Sequence, residues 1–255
     1  MVSVTRRIHI APQGYEDERI YLPALDLDAD RVILLIHDDE DETASECRDT
    51  VISELNDKGV KTDVRRCDIF DINDSLETLF EEIRSRPSGD DIKVNVSAGS
   101  KIMAIAGMIA CMFTGADPIY VVPEGYGNDT VSYGMKEIIG LPAYPIAEPD
   151  HQLVKVLNFI HNEQPDVGPE GVLLKDIGEF LLINELPAVE SSDKGPGEAE
   201  EIYPIIRQKI ITPLNQRGLI KEIRYDGGTH IRTSKEGEEM LEIGKSLINH
   251  ISDAK

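Results

Sequence analysis

The stretch Ile92–Lys101, IKVNVSAGSK, places a β-branched run directly before a turn of small residues and a lysine. The apolar segment that follows from Ile102 has the composition of a helix, so the stretch predicts a strand, a tight turn and a helix N-terminus in succession. Backbone N–H groups of such a turn, the helix dipole and a lysine together suit a phosphate. The alternative is an ordinary strand-to-helix turn with a solvated lysine.

The first 150 residues repeat the same alternation of strand and helix. Strands are predicted at Arg7–Ile10, Arg31–Ile36, Val60–Arg66, Ile92–Val96 and Pro118–Val122, with helices at Glu16–Leu27, Glu42–Asn56, Ile72–Arg84 and Ile102–Phe113. Alternation of this kind is typical of a Rossmann-like, doubly wound parallel sheet. A short segment, Val131–Ile138, is expected to add a last strand.

Such sheets bind ligands beyond the carboxyl ends of their strands, where the strand order reverses. With the order 3-2-1-4-5, the crevice lies between strands one and four. Its borders are the loops Ala11–Tyr15 and Ser97–Lys101, and each loop carries a glycine. Tyr15 is a candidate for stacking on a base, or alternatively a cover for the rim of the sheet.

Composition narrows the class of protein. Among 255 residues, 26 Lys and Arg stand against 48 Asp and Glu, a net charge of −22 spread along the chain. This pattern indicates adaptation to a cytosol of high salt; an acidic protein of ordinary salt is the alternative. Cys47, Cys67 and Cys111 fit neither a disulfide framework nor a zinc site, so buried thiols are expected. The chain shows no signal peptide and no apolar run of spanning length, which predicts a cytoplasmic protein without a membrane partner.

The pattern changes after residue 147, which predicts domains at 1–147 and 148–255. Helices at His151–His161, Leu173–Ile183 and Glu198–Gln216 precede two alternating runs around Asp226-Gly227-Gly228 and a final helix, Lys235–His250, capped by Ser234. This order predicts an α+β winged helix-turn-helix domain, whose third helix enters the major groove of DNA. Residues 207–235 hold seven basic and two acidic side chains, opposite in sign to the rest of the chain. The predicted DNA-binding residues are Arg207, Gln208, Lys209, Arg217, Lys221, Arg224, His230 and Arg232.

The segment Asn95–Met103 resembles the loop after the fourth strand of CRISPR-associated Rossmann-fold (CARF) domains. Ala116–Val122 is similar to their fifth strand, and Pro213–Ile220 to the end of the recognition helix in CARF winged-helix regulators. The resemblance implies a homodimer that binds a cyclic oligoadenylate, or a related nucleotide, through its CARF domains and DNA through its winged helices. The resemblance places Ser97, Gly99, Ser100 and Lys101 on the ligand loop and Gln13 and Gly14 on the other loop, with Ala98 and Ser100 standing where the family usually has glycine and threonine. Together with Ala98 and the stacking candidate Tyr15, these are the predicted ligand-binding residues.

The sequence therefore predicts a ligand-responsive DNA-binding regulator of the halophilic archaeal type, with no catalytic residue, metal ligand or cofactor assigned. Two alternatives stay open. One is a ring nuclease that cleaves its own cyclic oligoadenylate with Ser97, Ser100 and Lys101, for which His37 would have to reach across from the neighbouring strand. The other is a winged helix used for protein contacts.

Overall fold

The computed structural model describes residues 5–127, 131–144, 150–165, 171–190, 192–225 and 228–241. The chain divides into two compact units, Met1–Ala147 and Glu148–Lys255. Each unit has a buried apolar cluster of its own.

The N-terminal unit is built on one mostly parallel sheet. Its strands are β1 (Arg7–Pro12), β2 (Arg31–Ile36), β3 (Lys61–Arg66), β4 (Asp91–Asn95), β5 (Asp117–Val122) and β8 (Glu137–Gly140). They lie in the order β3-β2-β1-β4-β5-β8, with β8 antiparallel to β5. The predicted Rossmann-like sheet is confirmed, and β1 and β4 are neighbours. The predicted last strand is partly wrong, because β6 (Gly125–Tyr126) and β7 (Ser132–Tyr133) form a separate two-stranded ribbon.

Four helices cover this sheet. They are α1 (Glu18–Asp26), α2 (Glu42–Asp57), α3 (Ile72–Arg84) and α4 (Lys101–Thr114). The side chain of Asp17 accepts from the first N–H of α1, and α2, α3 and α4 begin after the capping side chains of Asp41, Asp71 and Ser100 respectively, each of which accepts from an N–H further into the first turn. Because parallel strands end at one edge of the sheet, these three N-termini lie at the carboxyl edge, beside the loops that follow β2, β3 and β4.

Pro23 lies inside α1. A proline donates no N–H, so the carbonyl of Arg19, four residues earlier, loses its helical partner. The buried amide of Asn95 takes that place and donates its Nδ2 hydrogen to the Arg19 carbonyl at 2.8 Å. Asn95, the last residue of β4, thus replaces the hydrogen bond that Pro23 cannot donate and connects α1 to the sheet.

All three cysteines are buried and unbridged, as predicted. Burial raises the pKa of the Cys47 and Cys111 thiols to about 12 and that of Cys67 to about 11. None of these thiols is ionised near neutral pH.

The C-terminal unit combines helices with a three-stranded antiparallel sheet. Its elements are α5 (His151–Glu163), β9 (Val172–Leu173), α6 (Leu174–Ile183), a 3₁₀ turn (Ala199–Ile202), α7 (Tyr203–Ile206), a π-helical turn (Arg207–Ile211), α8 (Thr212–Gln216), β10 (Ile220–Tyr225) and β11 (Gly228–Thr233). The sheet order is β10-β11-β9. Residues 235–241 are helical, and the Ser234 hydroxyl accepts from the Gly237 N–H at 3.0 Å, as expected of a cap. The predicted turn residues Asp226 and Gly227 and the rest of the final helix, 242–250, lie outside the described residues.

The predicted helix Glu198–Gln216 is broken into short pieces, and Pro213 explains the break. The proline ring crowds the backbone carbonyl four residues earlier, and proline has no N–H group to donate a hydrogen bond to that carbonyl. The helix widens instead, so that the Thr212 N–H donates to the Arg207 carbonyl, five residues back.

Candidate functional site

A cavity of about 430 Å³ opens at the carboxyl edge of the N-terminal sheet. The two loops predicted to border it, after β1 and β4, both contribute. The loops after β2 and β3 contribute as well, so the cavity is wider than the predicted crevice. Its lining residues are Gln13, Gly14, Tyr15, Glu16, His37, Asp39, Glu40, Asp41, Ala44, Ile69, Phe70, Gly99 and Ser100.

The glycines of the β1 and β4 loops lie against each other. A Cβ on Gly14 would come within 3.0 Å of the Gly99 nitrogen, and a Cβ on Gly99 within 2.7 Å of the Pro12 Cβ. Gly99 also has a φ of +77°, which disfavours any side chain. From the sequence, these glycines were expected to let a ligand come close to the backbone. In the structure, their lack of a side chain allows the β1 and β4 loops to pack against each other.

The hydroxyl groups of Ser97 and Ser100 both form hydrogen bonds within the protein. The Ser100 hydroxyl accepts from the Met103 N–H at 3.0 Å and donates to the Ile69 carbonyl. The Ser97 hydroxyl and N–H both donate to the Asn95 side-chain oxygen. Ser100 therefore joins the β3 and β4 loops, and Ser97 holds the turn in shape.

Three of the predicted ligand residues, Ser97, Ala98 and Lys101, do not line the cavity. The Ala98 side chain is buried in the apolar cluster between the sheet and the helices α1 and α2. Its φ is not positive, so an alanine fits this position without backbone strain. Lys101 is exposed at the first residue of α4.

Gln13 and Tyr15 are held by the N-terminus of α2. The amide Nε2 of Gln13 donates to the Ala44 carbonyl, and the Tyr15 hydroxyl donates to Asp41 Oδ2 at 2.7 Å. Asp41 also accepts from the Ala44 N–H at 2.8 Å. These bonds lower the pKa of Asp41 and raise that of Tyr15, so the pair keeps one proton, on the phenol.

Sequence reasoning missed the acidic side of the cavity. Glu16, Asp39, Glu40 and Asp41 line it, and among the described lining residues there is no lysine or arginine. Glu40 is paired from outside the lining with Arg48 and with Arg66, the latter at 3.3 Å. The signal was present in the sequence, since the run His37-Asp38-Asp39-Glu40 directly follows a buried strand.

His37 lies closer to the β4 loop than the sequence suggested, because it lines the same cavity as Gly99 and Ser100. Its Nε2 is 3.4 Å from Asp68 Oδ1, and the Asp39 N–H donates to its Nδ1 at 3.0 Å. The Phe70 ring packs edge-on against it, with centroids 5.3 Å apart.

The predicted DNA-binding residues divide between two faces of the β10–β11 hairpin. Lys221 pairs across the strands with Arg232, and Ile223 pairs with His230, which puts these residues on one face. Arg224 pairs with Thr229 on the other face, which also carries the buried Ile231. Arg224 and Arg232, both predicted to bind DNA, therefore point to opposite sides of the hairpin.

The helical residues of this group have defined contacts. Arg207 bonds Glu222 at 3.0 Å and reaches Thr229 Oγ1 at 3.4 Å, so its guanidinium lies on the Arg224 face of the hairpin. The Lys209 ammonium donates to the Ala188 carbonyl at 3.0 Å. Gln208 and Arg217 are exposed.

Within the described residues, no group of three or more His, Cys, Asp or Glu side chains is arranged to hold a metal ion. Among the helices of that same part of the chain, none has both the length and the apolar character needed to cross a membrane.

Comparison with known families assigns the second unit. Residues 152–245 match the family described as DUF6293 C-terminal winged helix domain. The C-terminal unit is a winged helix domain. Residues 7–126, ahead of it, match the family described as HFX_2341_N:-like, N-terminal.

A curated relative covers part of the chain. The uncharacterized protein MJ1513 of Methanocaldococcus jannaschii is 30% identical over 127 residues. The match covers 46% of this chain and 38% of that protein. The chain thus spans well under half the length of the relative that it matches.

Solved structures with a similar arrangement include Can2 from Sulfobacillus thermosulfidooxidans in complex with cyclic tetra-adenylate, at 15% identity and a TM-score of 0.42, over 97% of this chain and 68% of that one. Csm6 from Enterococcus italicus, bound to cyclic hexa-2′-fluoro-hexa-dAMP, is 16% identical with a TM-score of 0.39, over 85% of this chain and 56% of its own. The strand order and the winged helix match, rather than these alignments, assign the fold.

Proposed function

We propose that this protein is a ligand-responsive, DNA-binding transcriptional regulator that acts as a homodimer. The observation that carries the proposal is a cavity at the ligand-binding edge of a Rossmann-like sheet in the same chain as a winged helix domain. The resemblance of residues 95–103 to CARF loops makes cyclic oligoadenylates the first ligands to test. Lys101 and the start of α4 then take the phosphates, since both favour negative charge.

The homodimer is supported by the surface of α4. One side of this apolar helix is buried, at Met103, Ala106, Gly107, Ala110 and Cys111. Ile105, however, is 53% exposed in the second turn of the helix. A second copy of the chain packed on α4 covers this apolar side and brings two ligand edges together.

Binding is favoured over cleavage by the hydrogen bonds at the loop, because the hydroxyls of Ser97 and Ser100 are both engaged. A ring nuclease is the second candidate, and the position of His37 on the cavity wall is the observation that favours it. Incubating the protein with cyclic oligoadenylate for hours, followed by chromatography, separates the two. Intact ligand supports the regulator, and linear product that disappears in Ser97→Ala or Lys101→Ala establishes the nuclease.

Ligand binding is tested by calorimetry with linear and cyclic oligoadenylates in buffers of high KCl. We expect Lys101→Ala to weaken binding by about ten- to a hundredfold, the effect of losing a charge-assisted contact. Lys58→Ala is the matched control, because Lys58 is an exposed lysine at the opposite edge of the sheet, after α2. Equal affinities of wild type and Lys101→Ala would remove this lysine from the site.

DNA binding is tested by selection from genomic fragments and then by fluorescence anisotropy. If Gln208 reads a base, Gln208→Ala costs about 1–3 kcal/mol on the selected sequence and little on a scrambled one. Failure to bind any fragment, at every salt concentration that keeps the protein folded, would reassign the winged helix to protein contacts.

A further inference from the structure

The loop after β2 forms one wall of the cavity although its own charges repel one another. Asp38, Asp39, Glu40 and Asp41 are consecutive carboxylates, and the last three line the cavity. Like charges at this spacing oppose a compact loop. The loop therefore needs cations and hydrogen-bond donors that hold it at the edge of the sheet.

Arg66, the last residue of β3, contacts this loop at three residues. Its Nη1 donates to the Asp38 carbonyl at 2.9 Å and to the His37 carbonyl at 3.3 Å. Its Nη2 lies 3.3 Å from Glu40 Oε2. The contacts use the planar fork of the guanidinium, whose donors have fixed directions. A lysine ammonium, which is a compact point charge, does not match that geometry.

Glu40 is shared between two arginines. Its side chain is 6% exposed, and the Oε2 atom that faces Arg66 also pairs with Arg48 of α2. Salt screens a nearly buried carboxylate less than it screens the exposed carboxylates on either side of it. The arginine clamp, by which we mean Arg66, Glu40 and Arg48, therefore persists at high salt, where repulsion within the loop is reduced.

The preceding residue of β3 makes a parallel contact away from the cavity. Arg65 pairs with Glu82 of α3, whose side chain is 3% exposed, and Glu82 also pairs with Arg86. Arg65 and Glu82 do not line the cavity. Both sets consist of a nearly buried glutamate between two arginines. Comparison of Arg65 with Arg66 therefore separates the loss of an ion pair from the loss of the position of the loop.

We propose that Arg66 is a positioning residue for the ligand, because through Glu40 and two backbone carbonyls it fixes the β2 loop as a wall of the cavity. Arg66 does not itself line the cavity, so it acts through the loop and not by contact with the ligand. Without the guanidinium, the carboxylates of the loop move apart and the cavity loses this wall. The inference rests on the proposed function, since it specifies what holds one side of the ligand site.

The first test follows the loop without ligand, by hydrogen exchange and mass spectrometry of the full chain. The peptide spanning residues 37–45 contains two N–H groups whose bonds depend on the position of the loop, those of Asp39 and Ala44. Arg66→Ala should speed their exchange about tenfold or more, and Arg65→Ala should leave it at the wild-type rate. Unchanged exchange in Arg66→Ala would overturn the inference.

The second test measures the binding of cyclic tetra-adenylate and of the hexameric ring by calorimetry on the full chain. Arg66→Ala should weaken binding about ten- to a hundredfold, the effect of losing hydrogen bonds from a charged group. Arg66→Lys should bind nearly as weakly, whereas Arg65→Ala should keep the wild-type affinity. Equal affinities of Arg66→Ala and the wild type would overturn the inference and leave the proposed function standing. Failure of every ring to bind the wild type would overturn both.

Salt provides a readout that a general loss of stability does not move. Between about 0.5 M and about 3 M KCl, the difference in affinity between the wild type and Arg66→Ala should narrow at least about threefold, because screening weakens the repulsion that displaces the loop. A difference that stays constant would overturn the inference. Thermal unfolding confirms that each variant is folded, and Arg66→Lys decides if Arg66→Ala is not.

Discussion

Gly99 shows how one residue without a side chain fixes the geometry of the site. Two effects act on it together: a positive φ of 77° and a Cβ position 2.7 Å from the Pro12 Cβ. Gly115, at the end of α4, has nearly the same φ, 80°, but open space around its Cβ position. The pair separates backbone strain from steric contact.

We expect Gly115→Ala to lower the free energy of unfolding by about 1 kcal/mol, the cost of a left-handed alanine. Gly99→Ala should cost about 2–4 kcal/mol, because it adds a displacement of the β1 loop to the same strain. Urea unfolding of both variants measures the difference. Equal costs would show that the β1 and β4 loops are not in firm contact.

His9 is a second residue with a measurable signature. It is 2% exposed on β1, and burial, followed by the charge of Lys93, lowers its pKa from 6.5 to about 4; Asp91 opposes and Arg7 adds to the shift. Between these two values the unfolded chain takes up a proton that the folded chain refuses. Stability from this group is therefore complete above pH 6.5 and falls as the pH drops toward 4.

We expect about 2 kcal/mol of this contribution to be lost between about pH 7 and about pH 5. His9→Leu should remove it, so that the variant loses less stability over this interval than the wild type does. Urea titrations at both pH values provide the comparison. Equal losses of unfolding free energy in the wild type and in His9→Leu would mean that His9 is protonated in the folded state as readily as in the unfolded state.

At the scale of elements, the hairpin of the winged helix domain decides which cations act together. Arg207 reaches Glu222 and Thr229, so it shares a face with Arg224, whereas Arg232 lies on the opposite face with Lys221. A DNA duplex that lies along the broken helix at residues 203–216 would contact the face of the hairpin that carries Arg224.

We expect Arg224→Ala to weaken DNA binding on all sequences and to reduce the salt slope by about one, as the loss of one phosphate contact does. Arg232→Ala should change both quantities less. Anisotropy on one duplex over a series of KCl concentrations tests the order. The reverse order would place DNA on the Lys221 face.

The elements also show what the sequence could and could not predict. Both ends of helix α3, Ile72 and Arg84, agree with the prediction: no glycine or proline interrupts the segment, and in the structure Asp71 caps its first turn. The α/β alternation predicted the doubly wound sheet, and the order 3-2-1-4-5 that was assumed for it agrees with the observed order of β3, β2, β1, β4 and β5. The sequence could not predict on which face of the hairpin Arg224 and Arg232 lie, because a shift of one residue in the strand register exchanges the two faces.

The cavity was predicted in place but not in extent. Periodicity located the loops after β1 and β4, and their glycines drew attention to them. The contributions of His37, Glu40 and Phe70 depend on how far each loop folds over the sheet edge, which no spacing in the sequence encodes. The position of the Gln13 side chain depends on a contact with Ala44, 31 residues away.

At the scale of the whole molecule, the net charge of −22 governs the response to salt. Repulsion among dispersed carboxylates opposes folding, and salt screens it over a distance that falls from about 10 Å at 0.1 M to about 3 Å at 1 M.

We expect the melting temperature to rise steeply with KCl up to about 1 M and to level off above it, in keeping with that change of screening length. Sucrose is the control, since it stabilises by exclusion from the surface and gives no such plateau. A melting temperature that does not respond to KCl would contradict adaptation to high salt.

The contact between Gly14 and Gly99 has a consequence for anyone who builds hybrids of this protein with its relatives. Each loop packs against the other, so a β1 or β4 loop that is transplanted alone loses the contacts that fix its conformation. Exchanging the β1 loop for that of a relative with a larger residue at position 14 pushes on the backbone at position 99. The two loops, 85 positions apart in the chain, therefore have to be exchanged together.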